Sequence, residues 1–161
     1  MNNLKKQSGL HMKKLLFAWL CTAFTLVAAA QIKNPVKWTY TAKKIADKTY
    51  EVHITATIEA GWHVYTLDHK SDIGVATTVK FKTNPLAKAS GKLLSKTKAV
   101  KMKDPSSGEM VKFYENTVDL VQVFKLKANV KTNITGELEF MTCDDKQCLP
   151  PTTKTFSVSL L

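Results

Sequence analysis

Two cysteines, Cys143 and Cys148, stand near the end of the chain in Met141-Thr142-Cys143-Asp144-Asp145-Lys146-Gln147-Cys148-Leu149-Pro150-Pro151. Thiols this close in sequence form a disulfide, exchange one, or supply two ligands to a metal. The polar Asp144 to Gln147 insert reads as a hairpin loop that sets the sulfurs across adjacent strand ends. Closing a six-residue loop is worth roughly 2 kcal/mol in the chain-entropy model, against roughly 4–5 kcal/mol for a loop of a hundred residues. Pro150-Pro151 stiffens the exit from the second cysteine and removes two backbone donors. From these residues alone a redox pair and a plain structural disulfide both stand. Metal binding is a third reading, weakened because the pair gives only two ligands and His53, His63 and His69 lie far away in sequence. No Ser-His-Asp set or paired-carboxylate pattern singles itself out, so hydrolase chemistry has no support.

The start of the chain bears on which thiol chemistry is open to it. Met1 to Lys14 carries four lysines and no acid, and Leu15 to Ala30 runs for 16 residues without a charge, closed by Ala28-Ala29-Ala30. A basic stretch, a short apolar stretch and a small-residue cleavage site make a secretory signal peptide, expected over residues 1–30. The run is short for a membrane span, which needs roughly 20 residues. Met12-Lys13-Lys14 is itself a compact signal-peptide start. Cys21 follows Trp19-Leu20, a poor context for lipidation. Export to an oxidising environment favours a bridge between Cys143 and Cys148.

The expected mature chain, residues 31–161, is one domain. It holds 20 lysines against 13 acids, a net charge of +7 compared with +11 for the whole sequence. There is no arginine, and bidentate phosphate or base recognition favours arginine, so nucleic acid is not expected as a partner. The lysines read as a solvated surface. A polytopic membrane protein, a multidomain enzyme and a nucleotide-binding fold with a glycine-rich loop all fall away.

The segments that must position the cysteines read as strands. Val36 to Thr41 alternates apolar with polar, and Tyr50 to Ile58 puts Tyr50, Val52, Ile54, Ala56 and Ile58 on one face, with a turn at Asp47-Lys48 between them. Ala60-Gly61 interrupts before Trp62-His63-Val64-Tyr65. Short strands are expected at Val79 to Lys82 and Lys98 to Met102, a loop at Asp104 to Gly108, and a longer strand at Val118 to Leu126. Asn133 to Gly136 is expected to turn the chain into Glu137 to Met141, and Thr153 to Leu161 alternates again. Pro85 to Lys96 is the one place where a short helix could hide. Trp38 and Trp62 are expected in the core, and His53, out of phase with the apolar face of its strand, at the surface. About eight strands with turn signals between them predict an all-β antiparallel sandwich.

Three stretches make the segment after the signal peptide resemble the N-terminal periplasmic domain of the bacterial thiol:disulfide interchange protein DsbD. They are the cysteine pair followed by Leu149-Pro150-Pro151, the Ala60-Gly61-Trp62-His63-Val64-Tyr65 stretch, and Lys112-Phe113-Tyr114-Glu115 after the turn-rich loop. The resemblance implies an immunoglobulin-like sandwich with an active-site hairpin. It implies that Cys148 exchanges with partners through a mixed disulfide that Cys143 resolves, and that Phe113 caps the sulfurs with Tyr114 beside it. His63 and Tyr65 would line the site. No cofactor and no metal are implied. Electrons would come from a thioredoxin-like protein or a membrane thiol-disulfide reductase and pass to oxidised exported proteins, with the domain a monomer.

There are departures from that family pattern. The insert holds four residues where the best-known members have five. Lys112 precedes the cap position where acids are common, with Glu109 further back, so a carboxylate proton-handling role is in doubt unless Asp144 or Asp145 takes it. Otherwise these two are solvated turn residues, whose charge should raise the thiol pKa values. The family's membrane electron-transfer and thioredoxin-like domains are not in this sequence, so the reductant is expected to be another protein. The rival from another class is a non-catalytic immunoglobulin-like binding module whose disulfide is inert.

Overall fold

The computed structural model of the chain describes residues 33–105 and 107–160. The expected signal peptide, with Cys21, lies outside the described residues. Among the described residues every regular element is a strand: β1 (Val36–Ala46), β2 (Thr49–Ile58), β3 (His63–Tyr65), β4 (Thr78–Phe81), β5 (Ala87–Ser95), β6 (Val100–Lys103), β7 (Met110–Glu115), β8 (Thr117–Leu126), β9 (Thr132–Phe140), β10 (Thr142–Cys143) and β11 (Thr152–Leu160). All pairings are antiparallel. They build a sheet β1-β2-β8-β5, a sheet β11-β9-β4, and a third, β10-β3-β7-β6.

The period-two pattern of β2 works as the alternation requires: Tyr50, Val52, Ile54, Ala56 and Ile58 are all buried, because successive side chains on a strand point to opposite faces. The first two sheets stack through aromatic contacts, Trp38 on Phe140 at 5.3 Å, Tyr40 on Phe156 at 4.9 Å and Phe81 on Phe124 at 5.1 Å between ring centroids. Trp38 and Trp62 both lie in this core. His53 is half-buried on the outer side of β2, its Nδ1 3.0 Å from a carboxylate oxygen of Asp119. The fold is therefore the all-β, immunoglobulin-like antiparallel sandwich.

Two sequence expectations give way to sheet pairing. The stretch from Pro85 to Lys96 forms β5 rather than a helix. Its register against β8 shifts between Ser90 and Leu94, where Gly91 takes a φ of +77° that other residues rarely adopt. The bulge leaves carbonyls off the ladder. Gln122, a buried polar residue on the inner face of β8, donates from Nε2 to the Ser90 carbonyl at 3.2 Å. Asn133 to Gly136 does not turn the chain; it lies inside β9. Gly136 is there for space. A Cβ at that position would sit 2.6 Å from Phe156 Cζ and 2.8 Å from the Lys80 carbonyl oxygen. Gly136→Ala is expected to destabilise the domain by about 1–3 kcal/mol through overpacking, measured as a lower midpoint in urea unfolding with an unchanged slope.

Candidate functional site

The third sheet holds Cys143. The chain leaves β9 at Phe140 in the sandwich core and enters β10 at Thr142, so the first cysteine is anchored directly to the folded wall. Cys143 pairs with His63 of β3, and β3 pairs with β7 so that His63 faces Glu115, Val64 faces Tyr114 and Tyr65 faces Phe113. Opposite residues on antiparallel strands share a face. One face of this sheet therefore carries Cys143, His63, Tyr65 and Phe113, and the other carries Thr142, Val64 and Tyr114. The two faces are buried against different partners. Val64 and Tyr114 join the sandwich core, while Tyr65, Val111, Phe113 and Cys143 form a separate apolar cluster.

Cys143 and Cys148 are joined in a disulfide, across an isolated bridge that continues the strand pairing. Asp144 builds the turn between them. Its backbone N–H donates to the Gln147 carbonyl at 2.9 Å, and its Oδ1 accepts from the backbone N–H groups of Lys146 and Gln147, each at 2.8 Å. A short acidic side chain that closes its own turn is an Asx arrangement, so four residues suffice for the hairpin. The Leu149 N–H returns to the Thr142 carbonyl at 2.9 Å. The two sulfurs are not equivalent in their surroundings. Cys143 is 2% exposed, whereas Cys148, on the returning arm of the hairpin, is an exposed residue.

Phe113 is on β7, with its ring centroid 4.5 Å from that of His63. It shares the buried apolar cluster with Cys143, while Cys148 lies outside that cluster. Tyr114, expected beside it, is turned to the opposite face by strand alternation and belongs to the core. His63 also meets Tyr65 edge-on at 5.5 Å. Burial lowers the His63 pKa below its usual 6.5, opposed by the charges of Glu115, Asp145 and Asp144, so the imidazole is neutral at pH 7. Burial raises the Tyr65 phenol, and Asp104 adds to the shift.

The sign of the His63 effect follows from linkage. Its cost to stability is absent above the unfolded value of 6.5, grows as pH falls below it, and is complete once pH has passed below the depressed folded value. The unfolding midpoint should thus fall from pH 7 to pH 5, and His63→Asn should remove part of that fall in a thermal melt. An equal slope in both proteins would contradict the assignment.

A segment the sequence did not single out completes the site. Residues 66–77 leave β3 and return, and two of them grip Tyr65. The His69 ring lies 4.3 Å from it, and Gly74 approaches so closely that a Cβ would fall 2.0 Å from Tyr65 Cε2. The turn-forming Ser71-Asp72-Ile73-Gly74 composition marks a loop, but its contact with Tyr65 has no local signature. Among the described residues no set of three His, Cys, Asp or Glu side chains is gathered to hold a metal ion.

The family model described as "Thiol:disulfide interchange protein DsbD, N-terminal" matches residues 29–160. No curated protein matches the chain. Among solved structures, the complex between the DsbD N-terminal and PilB N-terminal domains from Neisseria meningitidis matches at 16% identity, covering 79% of this chain and 87% of that one, with a TM-score of 0.50. The reduced N-terminal domain of DsbD from the same organism matches at 18% identity over 76% of this chain and 84% of that one, with a TM-score of 0.46. The N-terminal periplasmic domain of ScsB from Proteus mirabilis matches at 16% identity over 78% of this chain and 44% of that one, with a TM-score of 0.49.

Proposed function

Because the chain belongs to the family of the N-terminal domain of the thiol:disulfide interchange protein DsbD, we propose that its Cys143–Cys148 couple carries two electrons at a time between protein partners. The observation that carries this reading is the asymmetry of the pair, with Cys148 exposed on the returning arm of the hairpin and Cys143 buried in the cluster with Phe113. Exchange needs one sulfur open to in-line attack and a second held within reach. An inert staple needs neither.

The step balances as follows. In the reduced protein the Cys148 thiolate attacks one sulfur of a partner disulfide, forms a mixed disulfide, and releases the other partner sulfur as a thiolate. Cys143, deprotonated, then attacks Cys148 Sγ. The bond to the partner breaks, the Cys143–Cys148 disulfide forms, and the partner leaves as a dithiol after taking up two protons. A thioredoxin-like protein or a membrane thiol-disulfide reductase runs the same two steps in reverse to restore the dithiol. Oxidised exported proteins are the acceptors. We assign the proton of the Cys143 thiol to His63, which lies opposite that cysteine in the strand register. This reading puts the working domain at residues 31–161, exported to the periplasm by a signal peptide over residues 1–30, acting as a monomer without cofactor or metal.

The test is the reduction potential of the couple, titrated in a glutathione or dithiothreitol buffer. Exchange proteins lie between roughly −120 and −270 mV, and structural disulfides below about −300 mV. A value in the upper range is expected. A value below the structural limit would replace this reading with a binding module whose bridge is inert.

A further inference from the structure

The 66–77 segment is tied to β7 at two places. The Ser71 hydroxyl and the Asp72 backbone N–H, the latter at 3.2 Å, both donate to Oε2 of Glu109, just before β7. The Lys112 ammonium donates to Oδ2 of Asp68 at 2.6 Å. The segment also holds itself in shape. His69 Nε2 donates to the Ile73 carbonyl at 2.6 Å, the Ile73 N–H to Ser71 Oγ at 3.1 Å, and the Thr77 hydroxyl to the Tyr65 carbonyl at 2.6 Å. Its ends are fixed where the Thr66 N–H meets the Lys112 carbonyl and the Thr77 N–H the Thr66 carbonyl.

What this arrangement grips decides what it does. His69 and Gly74 hold the Tyr65 ring, while Glu109 precedes, and Lys112 lies within, the strand that bears Val111 and Phe113. Tyr65, Val111 and Phe113 are the buried side chains clustered with Cys143, with Ile73 and Met141 packed against them. We propose that residues 66–77 form a clasp that keeps Cys143 shut away and so directs exchange to Cys148, with Glu109 as the positioning residue that holds the clasp closed. This rests on the exchange reading above for its purpose, though not for its geometry.

Magnitudes favour Glu109 over Asp68 as the controlling contact. Lys112 and Asp68 are 36% and 66% exposed at their side chains, and ion pairs so open to water contribute little. Glu109 is half-buried and accepts from a hydroxyl and a backbone amide, both of which lose their partner if its carboxylate is removed.

The test is site-resolved alkylation of the reduced protein with limiting iodoacetamide, counting modified Cys143 and Cys148 peptides by mass. In the native sequence Cys148 should take nearly all the label. Glu109→Ala should raise the rate at Cys143 by about tenfold, through easier local opening. Glu109→Gln keeps a carbonyl acceptor for both donors and should restore most of the protection. Gln122→Ala, which weakens a different sheet, should lower overall stability without changing the Cys143 rate. Equal Cys143 rates in the native and Glu109→Ala proteins would overturn the clasp, as would a rise of the same size in Gln122→Ala. The potential separates the two proposals. If it falls in the structural range while Cys143 still responds to Glu109→Ala, the exchange reading fails and the clasp stands. If it falls in the exchange range with no response, only the clasp fails.

Discussion

Cys148→Ser should capture no partner and transfer no electrons, whereas Cys143→Ser should accumulate a stable mixed disulfide with an oxidised substrate protein. The difference comes from where the two residues sit. Without Cys148, the remaining thiol is buried with Tyr65, Val111 and Phe113, and no partner disulfide can align with it. Without Cys143, the exposed Cys148 thiol still attacks, but no internal thiol remains to release the partner. Resolution then waits for an external thiol. Oriented intramolecular groups act at effective molarities of about 10⁵ M or more, so the loss in the second step spans many orders of magnitude. Non-reducing electrophoresis of both variants, incubated with an oxidised protein, reads the result directly. Partner capture by Cys148→Ser, or equal capture by both, would reverse or erase the assigned roles.

Phe140→Ala should cost about 3–5 kcal/mol, the usual range for removing a buried aromatic ring from a core. Phe140 is buried, faces Trp38 at 5.3 Å, and is the last residue of β9 before the chain passes to Cys143. The loss is large against the 5–15 kcal/mol typical of a whole domain. It should appear in guanidinium unfolding as a lower midpoint with an unchanged slope. A loss below about 1 kcal/mol would mean that the ring does not bridge the two sheets as the packing indicates.

The sequence alone settled more of this protein than its low identity to solved structures would suggest. Period-two alternation picked out the buried face of β2 residue by residue, because strand geometry is local and burial of one face leaves a local record. The thiol pair, its polar insert and the double proline were legible for the same reason: all the groups lie within a few residues. The alternation breaks at Val64-Tyr65 and Phe113-Tyr114, where two consecutive buried residues mark a strand covered on both faces.

Only the tertiary structure decided which partner each face meets. Phe113 goes to the cysteine and Tyr114 to the core because register against β3 fixes the parity of β7, and a shift of one residue would exchange them. Ala87–Ser95 became a strand because β8 offered an edge to pair with, with Gly91 and Gln122 accommodating the bulge. Asn133 to Gly136 extended β9 because β11 pairs along it, and Gly136 leaves room for Phe156 and the Lys80 carbonyl. The grip of His69 and Gly74 on Tyr65, and of Glu109 on the Ser71-Asp72 turn, joins residues up to 38 positions apart. Such contacts depend on how strands pair across the sheet, and no local periodicity encodes that choice.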